Sequence, residues 1–263
     1  MELVDTHCHL TFDDLAGQVE AVLRRAGEAG VRRCLTIGVT PEDGMSCAAL
    51  AEKHQGVFAG AGIHPHEAGR FAGADLSGLG ELLAHPRVVA AGEIGLDYHY
   101  DLSDRKAQRA VFQAQLEICA QANLPLVIHN REATGDTIQM LRKAGFGGRR
   151  VVFHCFTGTP AEAGLIRDQG WRVSFTGVVT FKNAGPARQV ARDYPAEELM
   201  LETDSPYLSP EPVRQVRPNE PAHLVHTARF LAELRGQHLE ELAEQTTRNA
   251  VEFFDLAQAS AAS

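Results

Sequence analysis

Eight apolar, β-branched runs of strand length, at residues 3–9, 34–39, 57–63, 88–94, 126–129, 151–153, 172–175 and 199–202, narrow the fold of this chain more than any other feature. Between them lie stretches whose apolar residues recur every three or four positions, as Val19, Val22, Leu23 and Ala26 do, or Val111, Phe112, Leu116 and Cys119. Strands that alternate with amphipathic helices predict a parallel sheet, because a parallel return needs a long crossover and a helix supplies it. Eight such units favour a closed (β/α)8 TIM barrel over an open doubly wound sheet, and no GxGxxG or phosphate-loop motif follows any strand. The 263 residues match the length of one such barrel, so a single α/β domain over 1–263 is expected. After the eighth run, residues 205–221 carry five prolines and read as a long loop, followed by helical patterns at 222–235 and 239–256. The small-residue tail 257–263 is expected to fray.

The polar residues fall at particular places in this frame. His7, His9, Glu93, His129, His154 and Asp204 each stand at or just beyond the end of a predicted strand, and a barrel gathers those ends into one mouth. His7 and His9 are two apart on a strand, so they share a face with Cα atoms roughly 6.5–7 Å apart, close enough for two imidazoles to meet on one ion. Alone, such a pair is weak evidence of a metal site; with Asp5 ahead of it and four further candidates at strand ends, coincidence is a poor explanation. Glu93 ends the run Val88, Val89, Ala90, Ala91, Gly92, where an acid is costly unless paired or ligated, and no Lys or Arg lies near it in sequence. His129 ends PLVIH, His154 ends VVFH, and Asp204 ends LMLETD with Glu202 two positions before it. Mixed nitrogen and oxygen donors of this kind suit divalent cations, whereas a structural zinc site would use close cysteine pairs, which are absent. Asp97, Tyr98 and His99 follow Glu93 as candidates to support the site or face a substrate. In GIHPH, Pro65 fixes the backbone between His64 and His66 and can aim both rings into the mouth, a binding role preferred here to core packing. Lys182 is a candidate phosphate contact, equally readable as a solvated loop lysine.

Composition excludes several classes. At 44% hydrophobic and 22% charged, the chain has the make-up of an ordinary globular enzyme. It has no apolar run of membrane-spanning length, and MELVDTHCHL lacks the charged start of a secretory leader, so a cytoplasmic protein without membrane attachment is expected. Five scattered cysteines, Cys8, Cys34, Cys47, Cys119 and Cys155, make free thiols the expectation over a disulfide framework. Nothing diagnoses a dimer, and a monomer is expected. The net charge of −9 argues against a broad basic surface for gripping duplex DNA, but leaves room for a local grip aided by two divalent ions.

The motifs THCHL, GIHPH, GEIGLDY, IHNREA, HCFTG and ETDSPYL, followed by RPNEP, resemble the TatD family of metal-dependent deoxyribonucleases over nearly the whole chain and in the family's order. The resemblance implies an amidohydrolase-type TIM barrel that binds two divalent ions; the mixed His and carboxylate donors accept Mg, Mn or Zn. It implies hydrolysis of DNA by a metal-activated water, as a 3′ to 5′ exonuclease on single strands, with a role in DNA repair or degradation. Carried over by position, His7, His9, Glu93 and Asp204 hold one ion, and Glu93, His129 and His154 hold the other. Glu93 is then the bridging carboxylate and Asp204 the group that orients the attacking water and accepts its proton. The resemblance also places His64 and His66 near the substrate and Arg131 on its phosphate. One departure is visible: the family commonly has an Arg directly before the Asn of its last motif, whereas Pro218 separates Arg217 from Asn219 here. Arg217 reaches phosphate from a shifted position, or Arg214 substitutes for it.

Two rival readings remain at this point. Similar barrels hydrolyse amides or esters, aminoacyl esters included, but many of the binuclear ones use a carboxylated Lys as the bridge where this chain offers Glu93. A nucleic-acid or metal-binding protein without turnover would need a defect in the ligand set, and every expected ligand is present.

Overall fold

The computed structural model describes residues 1–256; the tail 257–263, expected to fray, lies outside the described residues. All eight expected runs are strands: β1 Leu3–Cys8, β2 Val31–Ile37, β3 Val57–Ala61, β4 Val88–Asp97, β5 Leu126–Arg131, β6 Val151–Phe153, β7 Arg172–Phe175 and β8 Met200–Leu201. Their order in the sheet is their order in the chain, with helical segments between successive strands, as in the (β/α)8 barrel expected. Among the described residues no helix is long and apolar enough to cross a membrane, and all five cysteines are free thiols.

Contacts gather the described residues into two compact units, one made of Met1–Thr36, Cys155–Leu165 and Val173–Leu256, the other of Ile37–His154 and Ile166–Arg172. In the first, β1 is buried along its whole length and pairs in parallel with β2, while β7 pairs with β8. Burying β1 buries its acid: Asp5 takes the Thr203 amide at 2.9 Å and the Thr203 hydroxyl at 2.5 Å, and burial still pushes its carboxyl up to about 7. The segment after β8 is stitched to the end of β1, since Asp204 N donates to His7 O at 2.9 Å and His9 N to Ser205 O at 2.7 Å. The proline-rich loop is held by Asn219, fully buried, whose amide donates to the carbonyls of Thr203 and Tyr207. Glu220 beside it takes the Arg25 guanidinium through Nε at 2.8 Å and a second nitrogen at 2.5 Å.

In the second unit β3, β4, β5 and β6 pair in parallel in turn. The helix Arg105–Ala122 starts on Asp104, whose side chain accepts from the amides of Lys106 and Ala107, and it buries Val111, Phe112, Leu116 and Cys119 at the expected spacing. Two glutamines on the same helix are buried because each is satisfied by backbone: Gln115 by both polar groups of Ile63, Gln108 by the carbonyl and amide of Asp97.

The strand limits differ from expectation in informative ways. β2 begins at Val31 rather than at Cys34, because Arg33 lies on the strand and satisfies its charge on Glu2 at 2.5 Å. β4 runs to Asp97, three residues past the expected end, because Gly95, Leu96 and Asp97 keep pairing with His129, Asn130 and Arg131 of β5. Glu93 and His129 therefore sit inside their strands and not at the strand ends, a correction to the sequence reading.

Candidate metal centre

The first unit brings together His7, His9 and Asp204, each able to offer a ligand atom within 4.8 Å of the others. The Nε2 atoms of His7 and His9 are 3.2 Å apart, and Asp204 Oδ1 lies 3.5 Å from the second and 3.9 Å from the first. Both imidazoles are buried, and the His9 ring stacks on Phe12 with centroids 4.4 Å apart. Asp204 reaches them from a left-handed backbone position, φ 53°, fixed by the stitching of its amide to β1. Glu202, two residues earlier and 1% exposed, accepts from the Cys155 amide at 2.5 Å and the Thr6 hydroxyl at 3.3 Å.

The second unit brings together Glu93, His129 and His154, again with ligand atoms within 4.8 Å of one another. Glu93 Oε1 is 2.7 Å from both His129 Nδ1 and His154 Nε2, and 3.3 Å from His64 Nε2. Burial pushes the Glu93 carboxyl up, but His154, His64 and His129 outweigh it and hold the group well below the usual carboxylate range. β4 can pass close enough to β5 to make this cluster because it has glycines on either side of Glu93. A Cβ on Gly95, at φ 146°, would meet His129 O at 2.0 Å, and one on Gly92 would meet Val127 O at 2.5 Å.

His129 also faces a second carboxylate. Its Nε2 is 3.0 Å from Asp97 Oδ2, and His66 Nε2 reaches the same oxygen at 3.0 Å. Burial lowers the basicity of His129, yet the Asp97 and Glu93 carboxylates outweigh it and raise the imidazole above its ordinary range. Burial would raise Asp97 in turn, but bonds from His129, the Tyr100 amide and His66 hold it below the ordinary carboxylate range. His64 is pushed down to about 4 by burial, against the pull of Glu93. Carboxylates set against imidazoles, with a positive charge already favoured between Glu93 and Asp97, fit divalent cations in both donor chemistry and charge.

Within the first unit the sequence-derived ligands His7, His9 and Asp204 come together, and within the second Glu93, His129 and His154 do. Of the substrate candidates, His64 and His66 stand beside Glu93 and His129, with ring centroids 4.3 Å apart. Arg131 lies with its guanidinium 5.7 Å from the centre of the exposed Tyr100 ring. Arg217 is exposed and lines a pocket with Arg214 and Tyr207; Lys182 is an exposed loop residue. Tyr98 and His99 turn to other partners, the first donating to Asp136 at 2.7 Å and the second meeting Glu132 at 2.7 Å. Sequence alone makes Asp97 a candidate to support the site or face a substrate and gives Phe12 no signal and Tyr207 none beyond its place in ETDSPYL, because a loop aromatic shows its role only through what it stacks on.

Known proteins resemble this chain along its length. The family model described as TatD related DNase matches residues 4–255. An uncharacterised metal-dependent hydrolase of Bacillus subtilis, YabD, is 38% identical over 252 residues, 96% of this chain and 98% of that protein. A protein of Pantoea ananatis named 3′-5′ ssDNA/RNA exonuclease TatD is 38% identical over 259 residues, 97% of this chain and 100% of its own length. Among solved structures, YJJV, the TATD homolog from Escherichia coli K12, superposes with a TM-score of 0.90 at 30% identity, covering 96% of this chain and 98% of its own. That likeness confirms the (β/α)8 barrel, and the chain belongs to the TatD-related DNase family of metal-dependent hydrolases.

Proposed function

We propose that the protein removes nucleotides from the 3′ ends of single-stranded DNA by hydrolysing phosphodiester bonds, with His7, His9 and Asp204 holding one divalent ion and Glu93, His129 and His154 the other. The observation that carries this reading is the convergence of imidazoles and carboxylates in compact ligand sets. The full-length likeness to a protein named as a 3′-5′ ssDNA/RNA exonuclease supports the choice of bond and strand. When bound, paired divalent ions lower the pKa of water and neutralise charge on the phosphoryl oxygens.

The chain's own residues supply the rest. Asp204, at the solvent-facing side of its cluster with 15% of its side chain exposed, orients the attacking water and accepts its proton. Glu93, kept anionic by His154, His64 and His129, would be the carboxylate ligand of the second ion. His64 and His66 line the approach to Glu93 and His129. Arg131, half-buried against Tyr100, and Arg217, exposed on its loop, neutralise phosphate. Monomeric action in the cytoplasm and a place in DNA degradation or repair belong to the same proposal.

Single-stranded DNA labelled separately at each end tests it, incubated with Mn, Mg or Zn, with EDTA, and with the Asp204→Asn variant. We expect stepwise loss from the 3′ end, none in EDTA, and a fall of at least about 100-fold in turnover for Asp204→Asn with metal still bound. DNA left intact across all metals while an amide or ester is cleaved would overturn the reading. RNA run in parallel fixes whether the 2′-hydroxyl is tolerated.

A further inference from the structure

A pocket of about 430 Å³ opens on the loop that follows Asp204, lined by Tyr207, Leu208, Arg214, Arg217, Pro218 and Asp14. Its walls are fixed rather than loose. Asn219 ties the Tyr207 carbonyl to the core, Ser209 Oγ donates to Val216 O at 2.7 Å, and Tyr207 N donates to Asp204 O at 3.0 Å. Arg214 is held by stacking, with its guanidinium carbon 3.8 Å from the centre of the Phe181 ring. Neither Arg214 nor Arg217 forms an ion pair among the described residues, so two guanidinium groups face the pocket with Asp14 as the only carboxylate in its lining. In a chain of net charge −9, this is a local excess of positive charge.

An aromatic path joins the pocket to the His7, His9 and Asp204 cluster. The His9 ring stacks on Phe12, 12° from parallel, and Phe12 meets Tyr207 edge-on with centroids 6.3 Å apart. Tyr207 is 52% exposed, a large ring presented to solvent beside two arginines. An exposed aromatic face flanked by guanidinium groups matches an unpaired nucleotide: the base has a π-face to stack, and the phosphate has charge to pair. The pocket volume is in the range of small-ligand sites, which run from about 300 to 1,000 Å³.

We propose that this pocket is a nucleotide subsite, in which the unpaired base next to the scissile phosphate stacks on Tyr207, propped by Phe12, while Arg214 and Arg217 hold the flanking phosphate. The subsite rests on the nuclease reading above and adds a reason for single-strand preference: a base held in a duplex stack cannot offer its face to Tyr207. It also assigns Arg214 a role beside Arg217 and replaces the either-or choice between them.

The test compares metal-loaded wild type with Tyr207→Ala, Tyr207→Phe and the Arg214→Ala/Arg217→Ala double variant, on a ten-nucleotide DNA strand and on bis(p-nitrophenyl) phosphate, a diester with no nucleotide. Tyr207→Ala is expected to raise KM for the strand roughly tenfold or more and to lower the preference for DNA over the small diester; Tyr207→Phe, which keeps the ring, restores most of it. The double variant is expected to flatten the slope of log affinity against log salt by about 1.4, from two contacts at about 0.7 each. Wild-type KM and salt slope in both variants would overturn the subsite while leaving the nuclease reading intact. Loss with the arginines alone would reduce the pocket to a phosphate clamp and overturn its base-binding role. Wild-type protein that cleaves the small diester and never DNA would sink the nuclease reading itself.

Discussion

Asp97 has no exposed surface and uses both carboxylate oxygens. Oδ1 takes the backbone amides of His99 at 3.0 Å and Tyr100 at 2.8 Å, which fixes the carboxylate plane; Oδ2 faces the Nε2 atoms of His129 and His66. A carboxylate makes a bond with an imidazole nitrogen only through a donated proton, and His129 faces one on each side, Asp97 at Nε2 and Glu93 at Nδ1; a divalent ion bound at Glu93 would take the place of the Nδ1 proton, and Asp97 would hold the remaining proton on Nε2. An amide at position 97 has one oxygen to divide between the two sides and offers N–H where the other needs an acceptor. Asp97→Asn is therefore expected to weaken binding of one divalent ion by about 10- to 100-fold. Titration of metal-free protein with Zn or Mn by calorimetry reads this directly, with circular dichroism to confirm the fold. Affinity equal to wild type would show that Asp97 organises the turn after β4 and nothing more.

At the level of elements, the decisive contact is β4 against β5. Glu93 and His129 lie on neighbouring strands, and the glycines flanking Glu93 let the two backbones close on each other. A methyl group at Gly95 would sit 2.0 Å from the His129 carbonyl, against backbone that has no room to yield. Gly95→Ala is expected to cost about 3 kcal/mol or more, overpacking combined with an unfavourable φ. Gly164, in the helix Pro160–Arg167 with open space around its Cα, gives the opposite sign: Gly164→Ala is expected to stabilise by about 0.5–1 kcal/mol. Denaturant melts of the two variants against wild type check both, and a neutral Gly95→Ala would mean that β4 can move off β5 freely. The strands were legible in the sequence because β-branched runs buried on both faces are hard to read as anything else. Their ends were not: whether Gly95, Leu96 and Asp97 continue β4 depends on residues of β5 more than thirty positions away. The subtler supports were hidden for the same reason, since the buried Gln108 and Gln115 look polar and surface-bound until the backbone groups they satisfy are in place.

For the molecule as a whole, the ligand residues were legible and the substrate surface was not. A histidine that ends an apolar strand conflicts with its surroundings, and the conflict itself points to a ligand; Arg214, Tyr207 and Phe12 sit on loops where such residues cause no conflict. The same contrast sets what metal removal does to the protein. His7, His9, His129 and Glu93 are buried or nearly so, and without ions their packing rests on imidazole and carboxylate contacts among themselves. A cation that binds the folded chain and not the unfolded one adds about 2.7 kcal/mol at a hundred times its dissociation constant, so two add about 5 kcal/mol. For a chain of this size each kcal/mol moves the melting temperature by roughly 2–4 °C, and EDTA is expected to lower it by roughly 10–20 °C, reversed by Mn or Zn. His9→Ala separates the two ligand sets, because it takes one donor from the first and none from the second. Its melting temperature should keep about half of the response to metal. A full response would place both ions in the second set, and no response in either protein would deny that the folded chain holds them.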